Sequence, residues 1–98
     1  MMRAQMTELE MIEAFGNLEG LSKERIDNIW DPYNPIRDLL LNCKAREKYN
    51  VSVVYMAFKS LSDCVSISTD FMVYPLNKED IPKCVIECIL KSEGCWIE

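Results

Sequence analysis

The sequence predicts an α+β fold: three N-terminal helices, a small antiparallel sheet of two or three strands, and a C-terminal helix with a short packed tail. Three observations carry that expectation. Apolar residues recur at helical spacing through the first half and again from position 81 to 90, a dense β-branched and aromatic run occupies residues 51–58, and Cys64–Ser68 alternates with period two.

The first helix is signalled by Thr7-Glu8-Leu9-Glu10, a capping box in which the Thr7 hydroxyl accepts from the Glu10 amide and the Glu10 carboxylate reaches back. Met6 and Met11 stand where a hydrophobic staple belongs. Leu9, Ile12, Phe15 and Leu18, with Met11 alongside, form an apolar stripe, while Glu8, Glu10, Glu13 and Asn17 face water. Gly20 ends the helix, and Gly16 within it, which costs about 1 kcal/mol against alanine, reads as a close-packing position. A short second helix starts at Ser22, with Leu21 and Ile26 as a staple pair, Ile29 and Trp30 inward, and Pro32 as its stop. Residues 31–35 form a turn whose Asn34 and Pro35 serve as N-cap and first residue of a third helix. Ile36, Leu39, Leu40 and Cys43 are its expected buried face. Lys44, Arg46 and Lys48 complement its C-terminal dipole, and Asn50 suits a left-handed ending.

Residues 51–58 read as the central strand, with Val51, Val53, Tyr55 and Ala57 on one buried face and Val54, Met56 and Phe58 on the other. Val54, Phe58, Leu61 and Val65 also fall at helical spacing, so periodicity leaves a helix open. After a turn over 60–63, Cys64–Ser68 is a second, antiparallel strand with one polar face. Residues 71–74 are either a third strand or its continuation past a bulge. Residues 77–80 open the last helix, capped by Asp80 or its neighbour because Pro82 belongs in a first turn. Ile81, Val85, Cys88 and Ile89 make its apolar stripe, widened by Ile86 and Leu90. Gly94 ends it, and Cys95-Trp96-Ile97 forms the packed tail, with an extra strand as one form it can take.

Composition bounds the function. With 49% hydrophobic and 28% charged residues, residues 1–98 have the makeup of a single folded domain. No apolar run reaches the length of a membrane span and the N-terminus lacks a signal-peptide core, so a cytoplasmic location is expected. Five cysteines without an export signal point to reduced thiols. The competing reading is a metal or redox site of Cys84, Cys88 and Cys95 closed by Cys43 or Cys64, but the paired C-x-x-C spacing of zinc modules is missing. There is no histidine, which removes imidazole bases and ligands, and only three glycines, which removes phosphate-cradling loops. Carboxylate pairs such as Glu10 and Glu13, or Glu79 and Asp80, read as solvated charge. The expectation is therefore a protein without catalytic activity, metal or cofactor.

Charge supplies the functional hint. Residues 1–38 hold eight acids against four bases within a chain of net charge −5. A basic footprint for direct nucleic-acid binding is lacking. In the second helix Glu24, Asp27 and Asp31 fall at i, i+3 and i+7, which would gather three carboxylates along one side. Such a face can dock on a basic, nucleic-acid-processing protein, as inhibitors and antidotes of the immunity or counter-defence type do. The candidate partner-binding residues are Glu10, Glu13, Glu24, Asp27, Trp30, Asp31 and Tyr33, with Trp30 and Tyr33 as aromatic anchors if exposed. The rival partner is a second copy of the chain in a homo-oligomeric structural or regulatory subunit, favoured if the region 64–74 leaves a sheet edge open.

Overall fold

The computed structural model describes residues 6–55, 63–68 and 70–96. It has the predicted α+β architecture, with a C-terminal helix laid across a three-stranded antiparallel sheet and the first and third helices packed on that helix.

Helix α1 (Glu8–Leu18) begins with the capping box: Thr7 Oγ1 accepts from the Glu10 amide at 3.2 Å and Glu10 Oε1 accepts from the Thr7 amide at 2.9 Å. Met6, Met11, Ile12 and Phe15 are buried. Leu9 is exposed instead of continuing the stripe, because the buried arc centres between Ile12 and Phe15 and Leu9 lies about a quarter-turn from that centre, at its edge. Gly20 ends the helix at φ +77°. Gly16 is a contact point: a Cβ there would come within 2.6 Å of Ile26 Cδ1 and 3.3 Å of Tyr33 Cε2. Its bare backbone is what lets the next element, α2 (Lys23–Ile26), settle on α1.

Helix α3 (Leu39–Lys48) starts later than the sequence implies, and this rotates it. Asn34 Oδ1 accepts from the amides of Ile36 (3.1 Å) and Arg37 (3.0 Å), which closes a separate turn over 35–37. The helix then restarts at Asp38, whose Oδ1 takes the amides of Leu40 (3.0 Å) and Leu41 (3.3 Å). Of the expected buried face only Ile36 is buried; Leu39 is 70% exposed, Leu40 63%, and Cys43 is also exposed. The inward positions are Asn42 and Ala45. Asn42, 5% exposed, donates its amide to the carbonyls of Pro35 (2.9 Å) and Pro82 (3.0 Å), bonds that a leucine there could not make. Lys48 and Tyr49 Oη (3.0 Å) bind Glu19 at the C-terminal end of α1, and Arg37 binds Glu8 with two bonds (3.1 and 3.2 Å) at the N-terminal end. Helices α1 and α3 therefore run in the same sense. Asn50 takes φ +55° after α3, as the sequence anticipated.

The sheet corrects the expected strand order. Strand β1 (Ser52–Val54) is an edge, β2 (Cys64–Ser68) is central, and β3 (Phe71–Val73) is the other edge. Val51 is buried and Val53 half-buried, but Val54 and Tyr55 face solvent, since Val54 lies with Ser52 on the outward face of the sheet and Tyr55 follows the end of β1; Met56, Ala57, Phe58 and the turn residues 60–62 lie outside the described residues. The row Val53, Val65, Val73 faces the core, and the row Ser52, Ser66, Met72 faces out. The open choice over 71–74 resolves as a third strand, and a register shift between Ser66 and Ser68 also supplies a bulge.

Asn77 caps a 3₁₀ turn (Lys78–Asp80) by accepting from the Glu79 amide, and α4 (Ile81–Ser92) follows with Pro82 in its first turn. Asp80 stands at the cap position without making a side-chain cap bond. The α4 stripe is buried as expected, with Val85, Ile86, Cys88, Ile89 and Leu90 at the centre of the core. Gly94 takes φ +74°. Cys95 and Trp96 turn back against the core through a 2.8 Å bond from the Cys95 amide to the Leu90 carbonyl, without forming a strand; Ile97 lies outside the described residues. No helix among the described residues is long and apolar enough to cross a membrane.

Two substitutions test this packing. Gly16→Val should destabilise the protein by about 2–3 kcal/mol in urea unfolding, and Ile26→Ala in that background should return part of the loss by making room. Asn42→Ala should cost about 2–4 kcal/mol, since it removes two buried hydrogen bonds and leaves a cavity, whereas a change below 0.5 kcal/mol would dismiss the bridge as incidental.

Candidate protein-binding site

All seven candidate residues lie on α1, α2 and the connection that follows. Helix α2 starts well but runs for one turn only: Ser22 Oγ accepts from the Arg25 amide at 3.2 Å as N-cap, and Asn28 then diverts the chain. Asn28 Oδ1 accepts from the amides of Trp30 (2.8 Å) and Asp31 (3.1 Å), an Asx turn that competes with helix extension. The expected line of Glu24, Asp27 and Asp31 on one helical side does not form, since Asp27 is already the C-cap and Asp31 lies in the loop. Ile29 and Trp30, expected inward, point to solvent, and Trp30 is 91% exposed.

The loop is braced from within. Arg25 Nη1 donates to the Asp31 carbonyl at 2.8 Å, its Nη2 lies 3.5 Å from the Asp31 carboxylate, and its guanidinium stands 5.7 Å from the centre of the Tyr33 ring. Tyr33 is half-buried against the core beside Gly16, so it supports the loop more than it presents an aromatic surface. Burial, followed by the charge of Glu19, pushes its phenol up to about 12.

The carboxylates fall into local groups. Asp27 pairs with Lys23 at 2.9 Å, and Asp27 and then Glu13 hold the Lys23 ammonium above its ordinary pKa. Glu24 is exposed and has no ion pair among the described residues. Glu10 is committed to its cap, and with Glu13 it borders a shallow groove of about 240 Å³ floored by Met6 and Ala14. The structure thus gathers Glu13 and Asp27 at Lys23, joins Asp31 and Tyr33 through Arg25, and leaves Trp30 at the apex. Arg25 and Asn28, which hold the apex in place, were passed over in the sequence. The Asn two residues before Trp30 is the signal that marks such a turn.

Elsewhere the thiols are all free, and burial, followed by the charge of Glu87, raises Cys84 to about 11. Cys88 is also raised by burial, and its Sγ donates to the Phe71 carbonyl at 3.2 Å. Among the described residues no group of three or more cysteine, aspartate or glutamate side chains is placed to hold a metal ion. No family model, curated protein or solved structure matches the chain significantly.

These shifts fix the alkaline behaviour. Tyr33 and Tyr49, both at about 12 in the fold through burial first and Glu19 second, and Cys84 at about 11, hold their protons more tightly when folded. Their contribution is complete below the unfolded pKa values near 9 to 10 and is lost as pH rises through 11 to 12. Urea midpoints should stay level to about pH 9 and then fall, with Tyr49→Phe flattening part of the fall above pH 10. A wild-type profile level to pH 11.5 would contradict the assignment.

Proposed function

We propose that the chain is a non-catalytic, cytoplasmic protein-binding module that docks through the Ile29–Trp30 apex on a basic surface, as an inhibitor or antidote of a nucleic-acid-processing protein. The observation that carries this reading is Trp30, 91% exposed on a loop whose backbone is fixed by Asn28 and Arg25. An indole in water is an unfavourable place for about 150–250 Å² of largely apolar surface, and its burial in a partner would contribute roughly 4–6 kcal/mol before other terms. Because the loop is already ordered, little entropy is lost when it is captured.

The surrounding side chains suit a basic partner. Asp27 and Asp31 flank the apex in the chain, each beside a base of its own, Glu24 is exposed on α2, and a net charge of −5 would steer association with a cationic surface. Surfaces that bind phosphate backbones are cationic, which is the basis for placing the target among nucleic-acid-processing proteins. The free thiols agree with a reducing compartment.

The test compares wild-type and Trp30→Ala proteins as bait under washes of rising salt, followed by assay of the captured protein's own activity with each. Wild type should retain one basic partner, release it as salt rises, and block its activity at one-to-one stoichiometry. Trp30→Ala should bind at least about 30-fold more weakly with an unchanged melting temperature. Equal capture by both baits, or none at low salt, would dispose of the proposal.

A further inference from the structure

We propose that two copies of this chain pair edge to edge through β3, giving one continuous antiparallel sheet with the two α4 helices side by side across a two-fold axis. The inference uses a different surface from the Trp30 loop and does not depend on it.

The first support is the strand itself. Among the described residues β3 has a hydrogen-bonding neighbour in β2 alone, so alternate backbone groups along its other side have no strand partner there. Soluble proteins guard such edges with short strands, bulges, charge or proline. β3 is three residues long and pairs with β2 through a bulge, but Phe71-Met72-Val73-Tyr74 carries no charge and no proline, and Pro75 comes where the strand has ended.

The second is the groove beside that edge. It has a volume of about 540 Å³ and runs between Tyr74 and Leu76 on one side and α4 on the other. Tyr74 is exposed and Leu76 is 96% exposed, so two large apolar side chains flank an open strand.

The third is charge. Along the α4 wall of the groove stand Asp80, Lys83, Glu87 and Lys91, alternating in sign at spacings of three and four on one helical stripe. A two-fold axis sets the second α4 antiparallel to the first. Asp80 then faces Lys91 of the second copy, and Lys83 faces Glu87 of the second copy, on both sides of the axis. Lys83 has no ion pair within its own chain among the described residues, whereas Glu87 already holds Lys91 at 2.9 Å, so the Lys83–Glu87 contacts are the principal new ones. The stripe is complementary to itself in this orientation, which commits the surface to a second copy over an unrelated peptide.

The spacing also agrees. Helix α4 lies over β2 and β3. With strands about 4.8 Å apart, the edge pairing would set the two α4 axes roughly 10 Å apart, close to the separation of packed helices. Pairing β3 with β1 of another copy would not close and would lead to filaments.

Charge exchange tests the arrangement by sedimentation, with circular dichroism checking the fold of each variant. Wild type should be a dimer at roughly 100 μM, above the micromolar limit of weak interfaces. Lys83→Glu and Glu87→Lys should each dissociate about tenfold more readily, because each places like charges opposite one another twice. Mixing these two variants should yield a heterodimer, since every opposed pair is then of unlike sign, and the double exchange K83E/E87K should dimerise by itself. A wild-type monomer at that concentration, open-ended assembly, single variants that dimerise like wild type, or a mixture that stays monomeric would each overturn the proposal.

Discussion

The amide of Asn42 ties together three pieces of chain at the buried junction of α3 and α4. Its two protons reach the carbonyl of Pro35, in the turn before α3, and that of Pro82, in the first turn of α4. Both carbonyls are presented by residues that cannot donate a backbone N–H of their own. A buried amide is tolerable only when satisfied, so once Asn42 faces inward the rotation of α3 is set. Ala45, one turn on, lets the helix approach α4 closely, and Leu39 and Leu40 are left on the outside.

That rotation explains where sequence reasoning succeeded and failed. Helix α1 was legible because cap, staple and stripe agree, and α4 because its apolar arc is too wide to be placed wrongly. Helix α3 was misread because the rule of apolar inside gave Leu39, Leu40 and Cys43 precedence over one asparagine, and the two carbonyls that outweigh them are seven and forty residues away. Residues 51–58 were read as central on composition alone. Strand order depends on what covers each side, and β2, with its serines, takes the middle because α4 lies over it and β3.

The candidate surface shows the same division. The acidic character of the first half was plain, but the geometry of its carboxylates was not, because an Asx turn at Asn28 ends α2 after one turn. Lys23 and Arg25, which in the sequence only dilute the negative charge, prove to hold Asp27 and Asp31 in place. The acids are therefore positioned groups on a fixed frame, with the exposed indole between them.

The parallel course of α1 and α3 has a topological consequence. Two neighbouring helices that run the same way cannot be joined by a tight turn; the chain leaving Leu18 must travel back the length of a helix, about 16 Å, before Leu39 can begin. Residues 19–38 are that return path, and the ion pairs Glu8–Arg37 and Glu19–Lys48 pin the helices it joins at both ends. A return path is compulsory in length but largely free in content. Its central residues, 27–32, stay outside the core, and Ile29 and Trp30 among them do not pack against it, so those two side chains can be exchanged without disturbing what the helices bury. The architecture thus provides an exposed pair, Ile29 and Trp30, on a mount held by Asn28 and Arg25, and side chains at those two positions can diversify while the fold stays constant.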